Sequence, residues 1–281
     1  MKSLKAAVFI ALIAGFAFPA LPQTAGERGT QLMKRNDDQP IFQKVKGESE
    51  LKIYGSTGEL RFMKKLVMAS YTENIGTQDQ KENYICYFLA PPDDNGNSYL
   101  MYNFKTMPDI KYVYLKGIRK AKKVTGADKK LSFFGSDFTN GDIGKPDFTE
   151  CTYRMLSEEQ LLFKGKKFDC FVVESLPKTP EIMRETGYGR KVTYIEKKTL
   201  LTLKIEYFDE NKIKLKELTL LSFITRDNVQ GKRVYYTTGL EMKNVRRGTR
   251  TELLFRNMNF EEDARITPGI FSVEYLTRKW W

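Results

Sequence analysis

From Val192 to Phe255 the chain alternates apolar and polar residues with a period of two, broken only by short turns. Val192 and Tyr194 interleave with Lys191 and Thr193, and Leu201, Leu203, Ile205 and Tyr207 with Lys204 and Glu206. After Asp209-Glu210-Asn211 the pattern resumes at Ile213 and Leu215 between Lys212, Lys214 and Lys216. Val234, Tyr236, Leu240 and Met242 follow Gln230-Gly231, and Thr251, Leu253 and Phe255 follow Arg247-Gly248. Such a period puts successive side chains on opposite faces of a strand, and turns this short join antiparallel neighbours. The first half repeats the signal at Leu51 and Ile53, Leu60 and Phe62, Tyr84 to Phe88, Tyr99 to Phe104 and Ile110 to Leu115. The reading is one mainly β domain, an antiparallel meander of about ten or eleven strands. Each strand is expected to show one apolar and one charged face.

A meander this long must curl, and its ends must be covered. Short helices at either end of the chain are the candidates to plug or flank it. One is expected from Glu27 to about Arg35, carrying Leu32 and Met33. The other opens at Pro268, which suits a first helical turn, and carries Phe271 and Leu276. The apolar face of the curled sheet encloses either a filled core or a ligand cavity, and the pattern leaves both open.

The residues that are missing narrow the chemistry. Among 281 residues there is no histidine, which removes Ser-His-Asp and Cys-His catalysis and histidine-ligated zinc. The three cysteines, Cys86, Cys151 and Cys170, show no metal-ligand spacing. Cys151 and Cys170 flank a turn near Gly165 but are offset, so a disulfide between them is possible without being favoured; inert burial is the plainer role. No catalytic residue, cofactor or metal is expected, and the chain is read as no enzyme.

Lys2 and Lys5 precede an uncharged apolar run from Ala6 to Ala20, the pattern of a secretory signal. Thr24 and Gly26 supply the small residues a signal peptidase reads, and Gly15 with Ala17 a weaker pair. The expected division is therefore a signal peptide at 1–26 and a single domain at 27–281. An uncleaved anchor is the alternative, although the run is short of the roughly 20 residues a spanning helix needs. Losing the two lysines takes the net charge from +12 to +10. A basic secreted domain meets anionic membrane surfaces and acidic proteins rather than nucleic acid.

Gly117 to Glu174 is the most distinctive stretch. It contains Gly117-Ile118-Arg119-Lys120, then Phe133-Phe134-Gly135-Ser136-Asp137-Phe138 with Asp142, then Tyr153-Arg154-Met155-Leu156, and Cys170-Phe171-Val172-Val173-Glu174. With Tyr194-Ile195-Glu196, Lys204 to Asp209 and Pro268-Gly269-Ile270-Phe271, this resembles the outer-membrane lipoprotein-sorting, LolA-like family. Ser157 stands where that family usually has glycine. The resemblance implies a periplasmic, half-open antiparallel β-barrel in a Gram-negative-type envelope. It also implies an apolar cavity that carries the acyl chains of lipids or lipoproteins toward the outer membrane. An inner-membrane exporter, an outer-membrane acceptor and an anionic membrane surface are the partners it suggests. The other reading is a non-enzymatic accessory or scaffold of an RND-type exporter, or an envelope sensor, without its own cargo.

On the carrier reading the candidate cavity residues are Tyr194, Leu203, Ile205, Tyr207, Leu215, Tyr236, Met242, Leu253 and Phe255. Lys204, Lys214, Lys216, Arg246, Arg247 and Arg250 are expected to form a basic outer face. For Phe134, Gly135, Ser136, Asp137 and Phe138 two roles compete. In one, Ser136 or Asp137 caps a turn through Asp142 while the phenylalanines pin it to the sheet. In the other, the segment is a movable lid.

Overall fold

A computed structural model describes residues 23–145 and 148–281. Most of the expected signal segment therefore lies outside the described residues. Helix α1, Ala25–Asp37, starts inside that segment's last two residues. Thr24 caps it reciprocally: the Glu27 N–H donates to Thr24 Oγ1 at 3.2 Å, and the Thr24 N–H donates to Glu27 Oε2 at 2.8 Å.

Among the described residues the chain forms thirteen strands in one antiparallel sheet. The first six are β1 Lys44–Tyr54, β2 Leu60–Glu73, β3 Lys81–Ala90, β4 Ser98–Phe104, β5 Ile110–Leu115 and β6 Lys120–Lys123. A long connection then leads to the hairpin of β7 Cys151–Phe163 and β8 Lys166–Pro177. Helix α2, Pro180–Thr186, precedes β9 Arg190–Glu196, β10 Thr202–Phe208, β11 Lys214–Asp227, β12 Arg233–Asn244 and β13 Thr249–Phe260. The sheet runs β6-β5-β4-β3-β2-β1-β13-β12-β11-β10-β9-β8-β7, so β1 pairs with β13 and the edges β6 and β7 stay apart. Side chains from β1 to β4 and from β10 and β12 share one apolar cluster. The sheet is therefore curled so that distant strands face each other, giving an open-sided barrel. The strand count exceeds expectation partly because β6 reads Lys-Ala-Lys-Lys, which carries no period-two signal.

Strands β2 to β4 depart from the one-apolar-face rule. Leu66, Met68, Cys86, Phe88, Tyr99 and Met101 face the concave cluster. Their neighbours Ala69, Ile85 and Leu100 are equally buried on the other side, beneath Ile270, Phe271 and Leu276. The C-terminal segment that covers them consists of 3-10 turns at Pro268–Ile270 and Val273–Thr277. Unbroken apolar runs such as Leu66–Ala69 carry the signal of a strand covered on both faces.

Helix α1 lies against β7 and β8 through Leu32, Tyr153, Met155 and Val173. Its approach needs Gly29, where a Cβ would sit 2.6 Å from the Met155 nitrogen. In the β7–β8 hairpin Cys151 faces Pro177 while Cys170 faces Glu159. Eight residues of strand separate the two thiols, roughly 25 Å, far beyond disulfide reach. Burial pushes the Cys86 thiol up to about 12 and the Cys170 thiol up to about 11.

Candidate functional site

The connection between β6 and β7 folds back across the concave face, with the GSDF residues at its centre. Phe133 and Phe138 are buried in the main cluster. Their neighbourhood is aromatic: Phe134 lies 4.2 Å from Phe88 and Phe133 lies 5.2 Å from Tyr99, ring centre to ring centre. Gly135 turns the chain with φ of 78°, a conformation open to glycine. Phe134 beside it is also left-handed, at 47°.

Polar contacts hold this segment from three sides. The Asp137 carboxylate accepts from Thr249 Oγ1 at 2.6 Å and Thr251 Oγ1 at 2.9 Å, and the Asp137 N–H donates to Thr251 Oγ1 at 3.0 Å. Lys216 Nζ donates to the Asp137 carbonyl at 2.6 Å and lies 3.4 Å from Asp142 Oδ2. Tyr188 donates its hydroxyl to Asp142 at 3.0 Å. Lys111 Nζ donates to the Ile143 carbonyl at 2.7 Å.

Two expectations change here. The turn from Thr139 to Asp142 is capped by its own ends: the Thr139 N–H donates to Asp142 Oδ2 at 2.8 Å and the Asp142 N–H to Thr139 Oγ1 at 3.2 Å. Ser136 instead donates to the Phe133 carbonyl at 2.6 Å, and Asp137 reaches out to β13. Lys216, expected on a basic outer face, points inward, because the register sets it opposite Tyr207.

The outer face itself is an ion-pair lattice rather than a basic patch. Lys204 and Lys214 both reach Glu206, at 2.8 and 2.9 Å, and Lys214 also reaches Glu217 at 2.5 Å. Arg250 pairs with Glu241 and Glu252, and Arg246 with Asp209, while the exposed Arg247 meets no carboxylate within ion-pair distance among the described residues.

The nine candidate cavity residues divide by position. Tyr207 and Met242 are buried in the main cluster, and Ile205, Leu215, Leu253 and Phe255 pack against it. Tyr236 sits below them with Phe42, Val234 and Phe260. Leu203 is buried in a separate group with Cys170 and Leu220. Tyr194 packs against that same group, its ring 4.7 Å from Lys204 Nζ on the outer face.

Coverage of the concave face is uneven. On β1 to β4, Leu51, Leu66, Met68, Phe88 and Tyr99 are fully buried beneath the GSDF segment. On β10 to β13, Ile205, Leu218, Leu240, Leu253 and Phe255 keep part of their surface accessible. Tyr84 on β3 and Tyr236 on β12 are also partly accessible. Burial pushes both hydroxyls well above the ordinary tyrosine value of 10.0.

One polar atom in this region has no signal in the sequence. Ser49 lies on β1 directly opposite Phe255 and Leu66, and its buried hydroxyl has no hydrogen-bond partner among the described residues. A different character marks a cleft of about 80 Å³ beside Lys111, Lys129, Glu150 and Arg190. Three of its cations meet a carboxylate, Asp109 for Lys111, Glu150 for Lys129 and Glu174 for Arg190, while Lys145 donates to the Asp37 carbonyl and Lys191 lies over the Tyr188 and Tyr207 rings. Among the described residues, no group of three or more His, Cys, Asp or Glu side chains is arranged to hold a metal ion.

The geometry has close counterparts. A DUF1329 family protein from Desulfovibrio piger is similar at a TM-score of 0.76 and 26% identity, over 90% of this chain and all of that one. A domain from Vibrio parahaemolyticus, described as an outer membrane lipoprotein-sorting protein, is similar at 0.75 and 20%, over 90% of this chain and all of that one. A LolA superfamily protein from Nitrosomonas europaea follows at 0.60 and 16%, over 88% of this chain and 99% of that one. No curated protein matches the sequence. A family model described as an uncharacterized protein matches residues 80–278, from β3 to the C-terminal 3-10 turns. The chain belongs to the family of that model, and its open, curled sheet is LolA-like.

Proposed function

We propose that this protein is a non-enzymatic periplasmic carrier that shelters an acyl chain of a lipid or lipoprotein on the β10–β13 half of its concave face. The observation that carries this reading is the row of apolar side chains on β10 to β13 that face the main cluster yet keep accessible surface, with Tyr84 and Tyr236 partly accessible beside them. Around them Leu240, Leu253 and Phe255 supply the apolar surface, and Ile205 and Leu218 extend it. Burying a methylene yields about 0.8 kcal/mol, so a chain of about a dozen carbons is held by contact alone. No proton transfer is required, which suits a chain without histidine. The GSDF segment is the boundary of the site that has to move, since it closes one side of the same space.

The test is to purify the protein from its native envelope and extract it for mass spectrometry. Acyl species in stoichiometric amount are expected, and Leu253→Asp should lose them while remaining folded. A wild-type protein that is repeatedly empty would instead support the accessory or scaffold reading.

A further inference from the structure

The hairpin of β5 and β6 forms one edge of the sheet, and its charge is one-sided. Residues 115–123 read Leu-Lys-Gly-Ile-Arg-Lys-Ala-Lys-Lys, without a single acidic residue. Lys122 pairs with Asp128 at 2.8 Å. Lys116, Arg119, Lys120 and Lys123 meet no carboxylate within ion-pair distance among the described residues, whereas Lys204, Lys214 and Arg250 on the outer face are each paired. At the tip between them, Ile118 is 65% exposed and Leu115 40%.

Lysines on an open edge have a plain explanation, since they discourage pairing with another chain. That accounts for Lys120 to Lys123. It does not account for two bare aliphatic side chains at the most exposed point of the same hairpin. Aliphatic residues projecting among unpaired cations suit a surface that is anionic at its face and apolar just beneath. Half-buried aromatic residues lie on the face of the hairpin that Ala121 and Lys123 share, opposite to that of Leu115 and Lys120. Trp280 packs beside Tyr112, Tyr114 and Ala121, and the Trp281 ring lies 4.5 Å from that of Tyr87. Tyrosine, apolar in body and polar at one end, favours that boundary.

We infer that the β5–β6 tip docks this protein on an anionic phospholipid bilayer, with Leu115 and Ile118 entering the headgroup layer and Lys116, Arg119, Lys120 and Lys123 meeting the phosphates. The tip lies at the β6 edge of the sheet and includes none of the β10–β13 residues proposed to hold an acyl chain, so it stands or falls independently of any cargo.

The test is cosedimentation of the whole chain, wild type and variants alike, with phosphatidylcholine vesicles containing about a quarter phosphatidylglycerol, at low and high salt. Binding is expected only with the anionic lipid and should weaken as salt rises. Each cation near such a surface contributes about fivefold, so a Lys116→Gln, Arg119→Gln, Lys120→Gln, Lys123→Gln variant should bind roughly a hundredfold more weakly or worse. Leu115→Asp with Ile118→Asp should lose about tenfold or more. An unchanged thermal midpoint checks that these exposed substitutions leave the fold intact. Equal binding to neutral vesicles, or binding that survives either variant, would overturn the proposal. Retention on a polyglutamate matrix without vesicle binding would assign the tip to an acidic protein and equally overturn it.

Discussion

Lys216 on β11 reaches across the concave face to the GSDF segment, 2.6 Å from the Asp137 carbonyl and 3.4 Å from Asp142 Oδ2. Both ion-pair side chains are nearly buried, so neither charge has water as an alternative. Lys216→Met would leave the Asp142 carboxylate with the Tyr188 hydroxyl and the Thr139 N–H. Breaking one side of a buried pair costs about 3 kcal/mol. The loss should appear as a lower urea midpoint, and a midpoint equal to wild type would show that the pair does not hold the segment.

Asp137 and Thr251 make the complementary attachment, on β13. Replacing both by cysteine puts two thiols where a carboxylate and a hydroxyl now meet at 2.9 Å. Once oxidised, this pair should arrest the exchange of bound acyl chains, and reductant should restore it. Exchange that proceeds equally in both states would rule out movement of the segment as the entry step.

Ser49 gives the opposite sign from most core substitutions. Its hydroxyl is buried without a partner, so folding removes it from water and returns nothing. Ser49→Ala should raise stability by about 1 kcal/mol in urea denaturation. A drop of similar size would mean that the hydroxyl has a partner in solution.

The Glu174 carboxylate ties β7 to β9. It accepts from Arg154 Nη2 at 2.9 Å and Arg190 Nε at 2.6 Å. Burial pushes its pKa up, but the two guanidinium bonds outweigh it and hold the group below its ordinary 4.5. A carboxyl lowered on folding contributes stability that is present above its unfolded pKa and disappears as pH falls through the folded value. Glu174→Gln should therefore cost about 1–2 kcal/mol at neutral pH, allowing for the exposure of Arg154. The gap from wild type should close as the denaturation series is carried below pH 4.5. A gap independent of pH would mean that the charge is not what matters.

Much of the architecture was legible because strands advertise themselves in a period of two. Val192 to Phe255 predicts its strands, and Glu27 to Arg35 predicts a helix within α1. Where the pattern failed, the cause was local. Leu60 and Phe62 alternate correctly, yet the β1–β2 hairpin projects past the sheet's cover, leaving Phe62 57% exposed. Irregular pairing beside Tyr207 and Phe208 places Lys216 opposite Tyr207, turning a residue read as outward toward the interior. A one-position shift reverses the face of a side chain, and sequence alternation alone cannot detect it.

The candidate site divides along the same line. Which residues are apolar, and that they form a continuous face, follows from the sequence alone because side-chain direction on a strand is a local property. Which part of that face is sealed and which part stays accessible depends on where the β6–β7 connection comes to rest. That is decided by contacts between residues far apart in the chain: Asp137 with Thr249 and Thr251, Lys216 with Asp142, Phe134 with Phe88. Each needs two partners brought together by the curl of the whole sheet, so tertiary structure alone separates the fully buried part of this face from the partly accessible one.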